Sequence, residues 1–409
     1  MHVYLFSPIP YSFLHQRPQK LADQFVALGM RVTFIEPCGL TEYLSGRKKG
    51  VPLLIVRSAW YQFLGLMALL IPGMRKKPEP KGKTAGGAGG MEIVPMPIII
   101  PNNRIDSAGM ERLNASVYRQ ALKYSLFRRM EAGEESMAIV QNPIWGEVLE
   151  RGDFTKITYD CIDEISLFAG RGSVGRVEQY EARLIGMSDA VFVTAEKLEE
   201  RLKRRTAGLP LVRIPNGVDY YFFQRGASGR EMPAGLPAIR HPIVGYVGVL
   251  RDWMDYALLE YLATEMPAVS FVMVGPVDFE FRIETVKRMP NVVFPGRRDY
   301  GEMPAYINAF DVCIIPFLTG PVSSTTNPVK VFEYFALGKP VVSTPLHELE
   351  HFARQGLLRI ADGREGFASA LKLALAESDQ GVRERRREVA RKHSWKTLAD
   401  SMLSAVGKG

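Results

Sequence analysis

The strongest constraint on this chain is a rhythm. Short runs of β-branched and aromatic residues recur along it, and most are followed by a longer segment of helical periodicity, the pattern of βαβ units whose strands lie parallel in one sheet. Two such series are present. The first contains HVYLF (2–6), RVTFIE (31–36), EIVPMPIII (92–100), MAIVQN (137–142), KITYDCI (156–162) and AVFVTA (190–195). The second contains PIVGYVGV (242–249), VSFVMVG (269–275), NVVFPG (291–296), VCIIPF (312–317), PVVSTP (340–345) and LLRIAD (357–362). Between them, residues 216–242 are rich in Gly, Pro and Arg, a composition that disfavours one long element and predicts a connector. The sequence therefore predicts an α/β protein with an N-terminal domain over 1–215, a linker over 216–242 and a C-terminal domain over 243–392. A closing helix over 393–409, with Ser394 as N-cap before Trp395 and Leu398, would dock on either domain, the N-terminal one included.

The length of 409 residues suits two domains of ordinary size. A hydrophobic share of 46% with a mean hydropathy of −0.04 excludes both a bilayer-embedded bundle and a disordered chain. Lys and Arg number 52 against 44 Asp and Glu, a formal charge of +8 that favours anionic partners without choosing among nucleic acid, phosphorylated metabolites and an acidic membrane. No basic motif interleaved with aromatics supports nucleic acid, so none is expected as a partner. Cys38, Cys161 and Cys313 are far apart, so neither a disulfide framework nor a cysteine metal site is encoded. With no basic n-region in MHVYLFSPIP, a cytoplasmic setting is the expectation.

One segment breaks the rhythm. SAWYQFLGLMALLIPG (58–73) carries no charge and lies between Arg47, Lys48, Lys49 and Arg75, Lys76, Lys77. It falls short of the roughly 20 residues that a spanning helix needs. The alternatives are a buried or subunit-contact helix and an interfacial one; the flanking bases favour peripheral contact with an anionic membrane through 58–77.

The most informative stretch is PVSSTTNPVKVFEYFALGKPVVSTP (321–345). Asn327 is a good N-cap, Pro328 suits the first helical position and Gly338 with Pro340 ends the helix, so a short helix entered from a loop is predicted over 328–337. Free N–H groups at its start favour an anion. Lys330 and Glu333 share one face, an ammonium for a diphosphate and a carboxylate for ribose hydroxyls. Spacing alone fits a solvated ion pair equally well.

KVFEYFALGKPVVST resembles the donor-site motif of group 1, or family 4-like, GT-B glycosyltransferases. IPNGVD (214–219), YVGVL (246–250) and GRRDYGEMPAYINAFDVCIIPF (296–317) resemble further landmarks of that superfamily in the expected order. HQRPQKLA (15–22) and TYDCIDE (158–164) are similar to the branch containing bacterial cell-wall and exopolysaccharide enzymes of the teichuronic acid type. The resemblance implies two Rossmann-like domains facing across a cleft, with a nucleotide diphosphate sugar, UDP- or GDP-linked, held mainly by the second and the acceptor by the first. Carried over, Glu333 would bind ribose and Lys330 the diphosphate, with Arg251 a second cation. The chain departs from the family's E-x7-E pair: Thr325 stands where the first glutamate belongs. The segment VSSTTN (322–327), with Thr325, Thr326 and Asn327, would offer hydroxyls and N–H groups instead.

On the acceptor side, KITYDCI leads into Asp160, Asp163 and Glu164, where a doubly wound sheet presents its functional edge. A carboxylate there would take the acceptor's proton, Asp160 first and Asp163 next, although Asp163 and Glu164 equally suit helix capping. His15, beside Gln16 and Arg17 after the first strand, would contact acceptor or donor phosphate, or serve a structural bond.

Absences discriminate further. No D-x-D triplet is present, which counts against a metal held on the diphosphate and leaves no cofactor expected. No P-loop and no G-x-G-x-x-G after the first strand support NTP hydrolysis or NAD binding. HELEH (347–351) reads as a solvated helix start, since no third metal ligand is evident. The expected function is a metal-independent glycosyltransferase of surface polysaccharide assembly. A nucleotide-sugar epimerase or hydrolase of the same fold, and an inactive membrane-surface scaffold, are the alternatives.

Overall fold

In the computed structural model, the described residues are 1–39, 90–98, 133–168, 174–227, 239–278 and 280–407, together with Pro233 and short stretches between 115 and 131. The chain divides into two compact units. The first comprises Met1–Phe13, Ala22–Asp160 and Ile165–Val191, the second Leu14–Leu21, Cys161–Glu164 and Phe192–Gly409. Two short segments that follow strands of the first series thus belong to the second unit.

Every run of the first series forms a strand: β1 (His2–Phe6), β2 (Arg31–Gly39), β3 (Met91–Ile98), β4 (Ser136–Val140), β5 (Lys156–Cys161) and β6 (Ala190–Val193). A seventh, β7 (Leu211–Arg213), lies outside the expected runs. It is three residues long and flanked by prolines, too short to show a period. The sheet order is β3-β2-β1-β4-β5-β6-β7. The second series gives β8 (Ile243–Val247), β9 (Ser270–Val274), β10 (Val292–Gly296), β11 (Val312–Ile315), β12 (Val341–Ser343) and β13 (Arg359–Ile360), in the order β10-β9-β8-β11-β12-β13. Both sheets are parallel and wind outwards from a central first strand, with the reversal between β1 and β4 and between β8 and β11. Doubly wound sheets of this order bind ligands beyond the carboxyl ends of the strands at that reversal.

The strands are apolar throughout because parallel strands are covered on both faces. β1, β4, β8 and β11 are buried at every position. Each such Val, Leu or Ile side chain contributes about 1.5–3 kcal/mol. Two glycines allow close approaches in and beside the second sheet. A Cβ on Gly245 would overlap the Phe310 ring, and one on Gly275, which has φ +146°, would overlap the Gly248 carbonyl. Those positions need glycine for space, and Gly275 also for its backbone conformation.

Part of the expected linker belongs to the second unit's core. Val218 and Phe223, the latter on the helix Tyr220–Gly226, are fully buried there. Val218 N–H donates to the His393 carbonyl at 3.0 Å, and Trp395 N–H returns to the Val218 carbonyl at 3.1 Å. This joins the closing helix Trp395–Val406 to the IPNGVD stretch. Its N-cap is Ser394, as predicted, accepting from Thr397 N–H at 3.2 Å.

The helix Gln380–Lys392 keeps a basic excess, although several of its arginines are paired. Arg386 is buried and donates to Leu357 O at 2.6 Å and to both oxygens of Glu377 at 2.5 and 3.0 Å, while Arg387 and Arg391 pair with Glu384 and Glu388. Among the described residues, no helix is long and apolar enough to cross a membrane. The segment 58–77 lies outside the described residues.

Candidate active site

The helix Val329–Ala336, entered after β11, is the centre of the site. Its N-cap position is Pro328, which supplies no side-chain acceptor, and Asn327 does not cap it. Instead, Asn327 Oδ1 accepts from Asn216 N–H at 3.1 Å, its carbonyl accepts from Asn216 Nδ2 at 2.7 Å, and its Nδ2 donates to Glu348 at 3.4 Å. Tertiary partners thus take the side chain that local sequence assigned to capping. The consequence is favourable for an anion, because the first-turn N–H groups receive no side-chain oxygen.

The expected loop at 322–327 is in part a helix, Pro321–Thr325. Thr325 and Thr326 both turn their hydroxyls onto the Val322 carbonyl, at 3.2 and 2.8 Å. Hydroxyl donation is therefore used locally, the usual behaviour of Ser and Thr on a short helix.

Lys330 and Glu333 do share one face, and they are not a solvated pair. Glu333 is only 9% exposed, while the Lys330 ammonium lies 4.8 Å from the Phe317 ring centroid and 5.1 Å from that of Tyr246. Burial pushes the Glu333 carboxyl up, opposed by the charges of Lys330 and Lys20 and by a hydrogen bond from Tyr300. Burial likewise pushes Lys330 down, to about 8, opposed by Glu333. Glu333 is buried and Lys330 half-buried, and taking such charges out of water is costly unless a further charged ligand or hydrogen bonds complete them. Gly248, just beyond β8, has φ +139°, and a Cβ there would stand 2.9 Å from the Tyr246 hydroxyl and 3.2 Å from Lys330 Cε. This glycine leaves room for the lysine stem.

Arg251, the second candidate cation, is engaged elsewhere: its Nε meets Asp278 at 2.7 Å and its guanidinium lies 5.3 Å from the Trp253 ring. The sequence missed Lys20 and Tyr300. Lys20 is buried with its ammonium 4.0 Å from the Tyr300 ring centroid, and His15 stacks on the same ring at 5.7 Å. HQRPQKLA and GRRDYGEMPAYINAF are both recognisable as landmarks, yet nothing in either stretch points to the other.

Asp160, the first candidate base, is fully buried and its Oδ2 accepts from Gln141 Nε2 at 2.8 Å. The Asp160 carboxylate therefore has a hydrogen-bond partner inside the fold. Asp163 is half-buried and burial raises its pKa to about 6. Glu164 is likewise half-buried. Arg17 is buried, its Nη1 donating to the Pro215 carbonyl at 2.9 Å, and Gln16 N–H donates to Gln19 Oε1 at 3.2 Å, so both shape the turn after β1. His15 is exposed.

Glu348 corrects the reading of HELEH as a solvated start. It is 7% exposed and accepts from Glu196 N–H at 2.7 Å as well as from Asn327. Among the described residues no group of three metal-ligating side chains is assembled.

Two doubly wound parallel sheets in one chain, with a half-buried lysine and a buried glutamate on the helix beyond the second sheet's reversal point, are the architecture of the GT-B fold. Residues 241–377 match the family model described as "Glycosyl transferases group 1", so the second unit carries that family's domain. The chain is 27% identical over 268 residues to TuaH, named as a teichuronic acid biosynthesis glycosyltransferase, of Bacillus subtilis, covering 62% of this chain and 67% of that one. In structure it is similar to sucrose-phosphate synthase from Thermosynechococcus elongatus (TM-score 0.70, 15% identity, 100% of this chain and 98% of that chain). It is also similar to Anabaena HepE in complex with UDP and glucose (TM-score 0.61, 13% identity, 100% and 99%). The chain is a glycosyltransferase whose residues 241–377 match the group 1 family.

Proposed function

We propose that the protein transfers a sugar from a UDP- or GDP-linked donor to a saccharide or lipid-linked acceptor during assembly of a surface polysaccharide, at the cytoplasmic face and without a metal ion. The observation that carries this is the buried Glu333 with the half-buried Lys330 on one face of the uncapped helix, within the matched family region. Glu333 would accept the ribose hydroxyls, and Lys330 with the N-terminal N–H groups would hold the diphosphate and stabilise it as it leaves. That is the task a divalent ion performs where a D-x-D triplet holds one, and this sequence has none. The acceptor oxygen attacks the anomeric carbon, the bond to the diphosphate breaks, and the acceptor's proton passes to a carboxylate, for which Asp163 is the suited group: it is half-buried and holds its proton up to about pH 6. The similarity to TuaH supports the polysaccharide setting.

Calorimetry with a panel of UDP- and GDP-sugars tests the reading. One donor should bind the parent, and Glu333→Gln should weaken it by about tenfold or more, the worth of hydrogen bonds to a charged acceptor. Transfer to an oligosaccharide acceptor should be unchanged by a chelator. Equal donor affinity in parent and variant would remove the donor-site assignment.

A further inference from the structure

Tyr300 opens a short 3₁₀ turn, Tyr300–Glu302, that is fixed at its start by reciprocal bonds between Asp299 and Glu302. Its ring lies parallel to Phe222, with centroids 5.2 Å apart and 8° between planes, and edge-on to Phe223 at 5.9 Å. The Lys20 ammonium lies 4.0 Å from that ring and 5.9 Å from Phe222. The phenol lies beside the Glu333 carboxylate and favours its charged form. So a ring held by the helix Tyr220–Gly226 and by a lysine of the segment after β1 ends on the one acid of the donor helix that faces two ammonium groups.

We propose that Tyr300, braced by Phe222 and Lys20, is a positioning residue that orients the Glu333 carboxylate for the two ribose hydroxyls of the donor, and so sets the enzyme's preference for ribonucleotides. The inference rests on the donor-site reading above. A glutamate on a helix has several rotamers, and recognising a vicinal diol requires both oxygens in one plane and at one height. A phenol on a ring held by Phe222, Phe223 and Lys20 selects one of them before the ligand arrives. Fixing such a side chain in advance removes ordering that the ligand would otherwise have to supply. Aromatic stacking and the cation over the ring keep the phenol in place. Lys20 acts twice, on the ring and, through its charge, on Glu333.

The test compares UDP and GDP with their 2′-deoxy counterparts by calorimetry, in parent, Glu333→Gln, Tyr300→Phe, Lys20→Met and Lys20→Arg proteins whose melting temperatures are measured alongside. The parent should bind the ribonucleotide about tenfold more tightly than the deoxynucleotide, and Glu333→Gln should erase the difference. Tyr300→Phe should cut the ratio to about threefold or less while leaving affinity for the deoxynucleotide unchanged. Lys20→Met should do the same and Lys20→Arg should restore the parent's ratio. If Tyr300→Phe and Lys20→Met weaken both nucleotides in parallel, or leave the ratio at the parental value while Glu333→Gln erases it, Tyr300 is structural and this inference is overturned with the donor site intact. If Glu333→Gln itself preserves the ratio, the donor-site reading falls and this one with it. Should Tyr300→Phe fail to fold, the two Lys20 variants decide the same question.

Discussion

Asp160 and Glu333 are both acids taken out of water close to the functional edge of a doubly wound sheet, and they are treated in opposite ways. Asp160, on β5, meets the neutral amide of Gln141 and is wholly buried in the first unit. Glu333, on the helix after β11, is acted on by two ammonium groups and a phenol, and its own proton affinity is raised by burial all the same. A carboxylate closed off by an amide has its partner inside the fold already. One that keeps cations around it on an uncapped helix is the arrangement that the proposed donor site asks for. Strand position, which alone suggested Asp160 as the base, does not separate the two cases; the identity of the neighbours does.

The comparison breaks most visibly in turnover. Lys330→Ala should lower kcat by about 10²–10³, the usual effect of deleting a group that stabilises a leaving anion. Asp160→Asn should leave kcat close to the parental value, because Asn preserves the shape and can still bond Gln141. A loss for Asp160→Asn as large as for Lys330→Ala would return Asp160 to the reaction.

How much of this was legible follows from the range of the interactions. The strands were readable because parallel strands buried on both faces become continuous apolar runs, whereas their order in each sheet comes from the structure. β7 was not, since Leu211–Arg213 is too short for any period. Lys330 and Glu333 were readable because one helical turn brings them together. The half-buried setting of Lys330 was not, because it depends on Phe317, Tyr246 and the room left by Gly248. Asn327 follows the local rule for an N-cap until Asn216 and Glu348 compete for its amide. Lys20 and Tyr300 are the far end of that scale: each lies in a recognisable stretch, and only the fold makes them neighbours.

Acidity sharpens the contrast at a middling scale. Two groups with shifted proton affinity bracket neutrality: Asp163 at about 6, raised by burial, and Lys330 at about 8, lowered by burial against the pull of Glu333. If Asp163 must be ionised to take a proton and Lys330 must be charged to hold a diphosphate, kcat/KM rises with pH through about 6 and falls through about 8. Asp163→Asn should flatten the acid limb. Lys330→Arg, whose side chain stays charged, should push the alkaline limb upwards whatever it does to the maximum. An alkaline limb unmoved by Lys330→Arg assigns it to another group.

The smallest effect concerns stability, and it runs against intuition for an acid-to-amide change. Asp163 binds its proton more tightly in the folded chain than in the unfolded one, about 6 against 3.8, so stability is greatest at low pH and falls as pH rises between those two values. Above about pH 6 the full cost of burying the charge is present, and a neutral amide in its place would not carry it. Partial exposure of the side chain reduces the effect, so Asp163→Asn should raise stability at about pH 7.5 by about 1 kcal/mol, or a few degrees in Tm, and the gain should vanish near about pH 4. Asp160→Ala, by contrast, should lose about 1–3 kcal/mol at the same neutral pH through the orphaned Gln141 amide. Paired denaturation curves at the two pH values decide it: a pH-independent difference for Asp163→Asn means that its carboxylate is solvated in the folded protein and is no better prepared to take a proton than any surface acid.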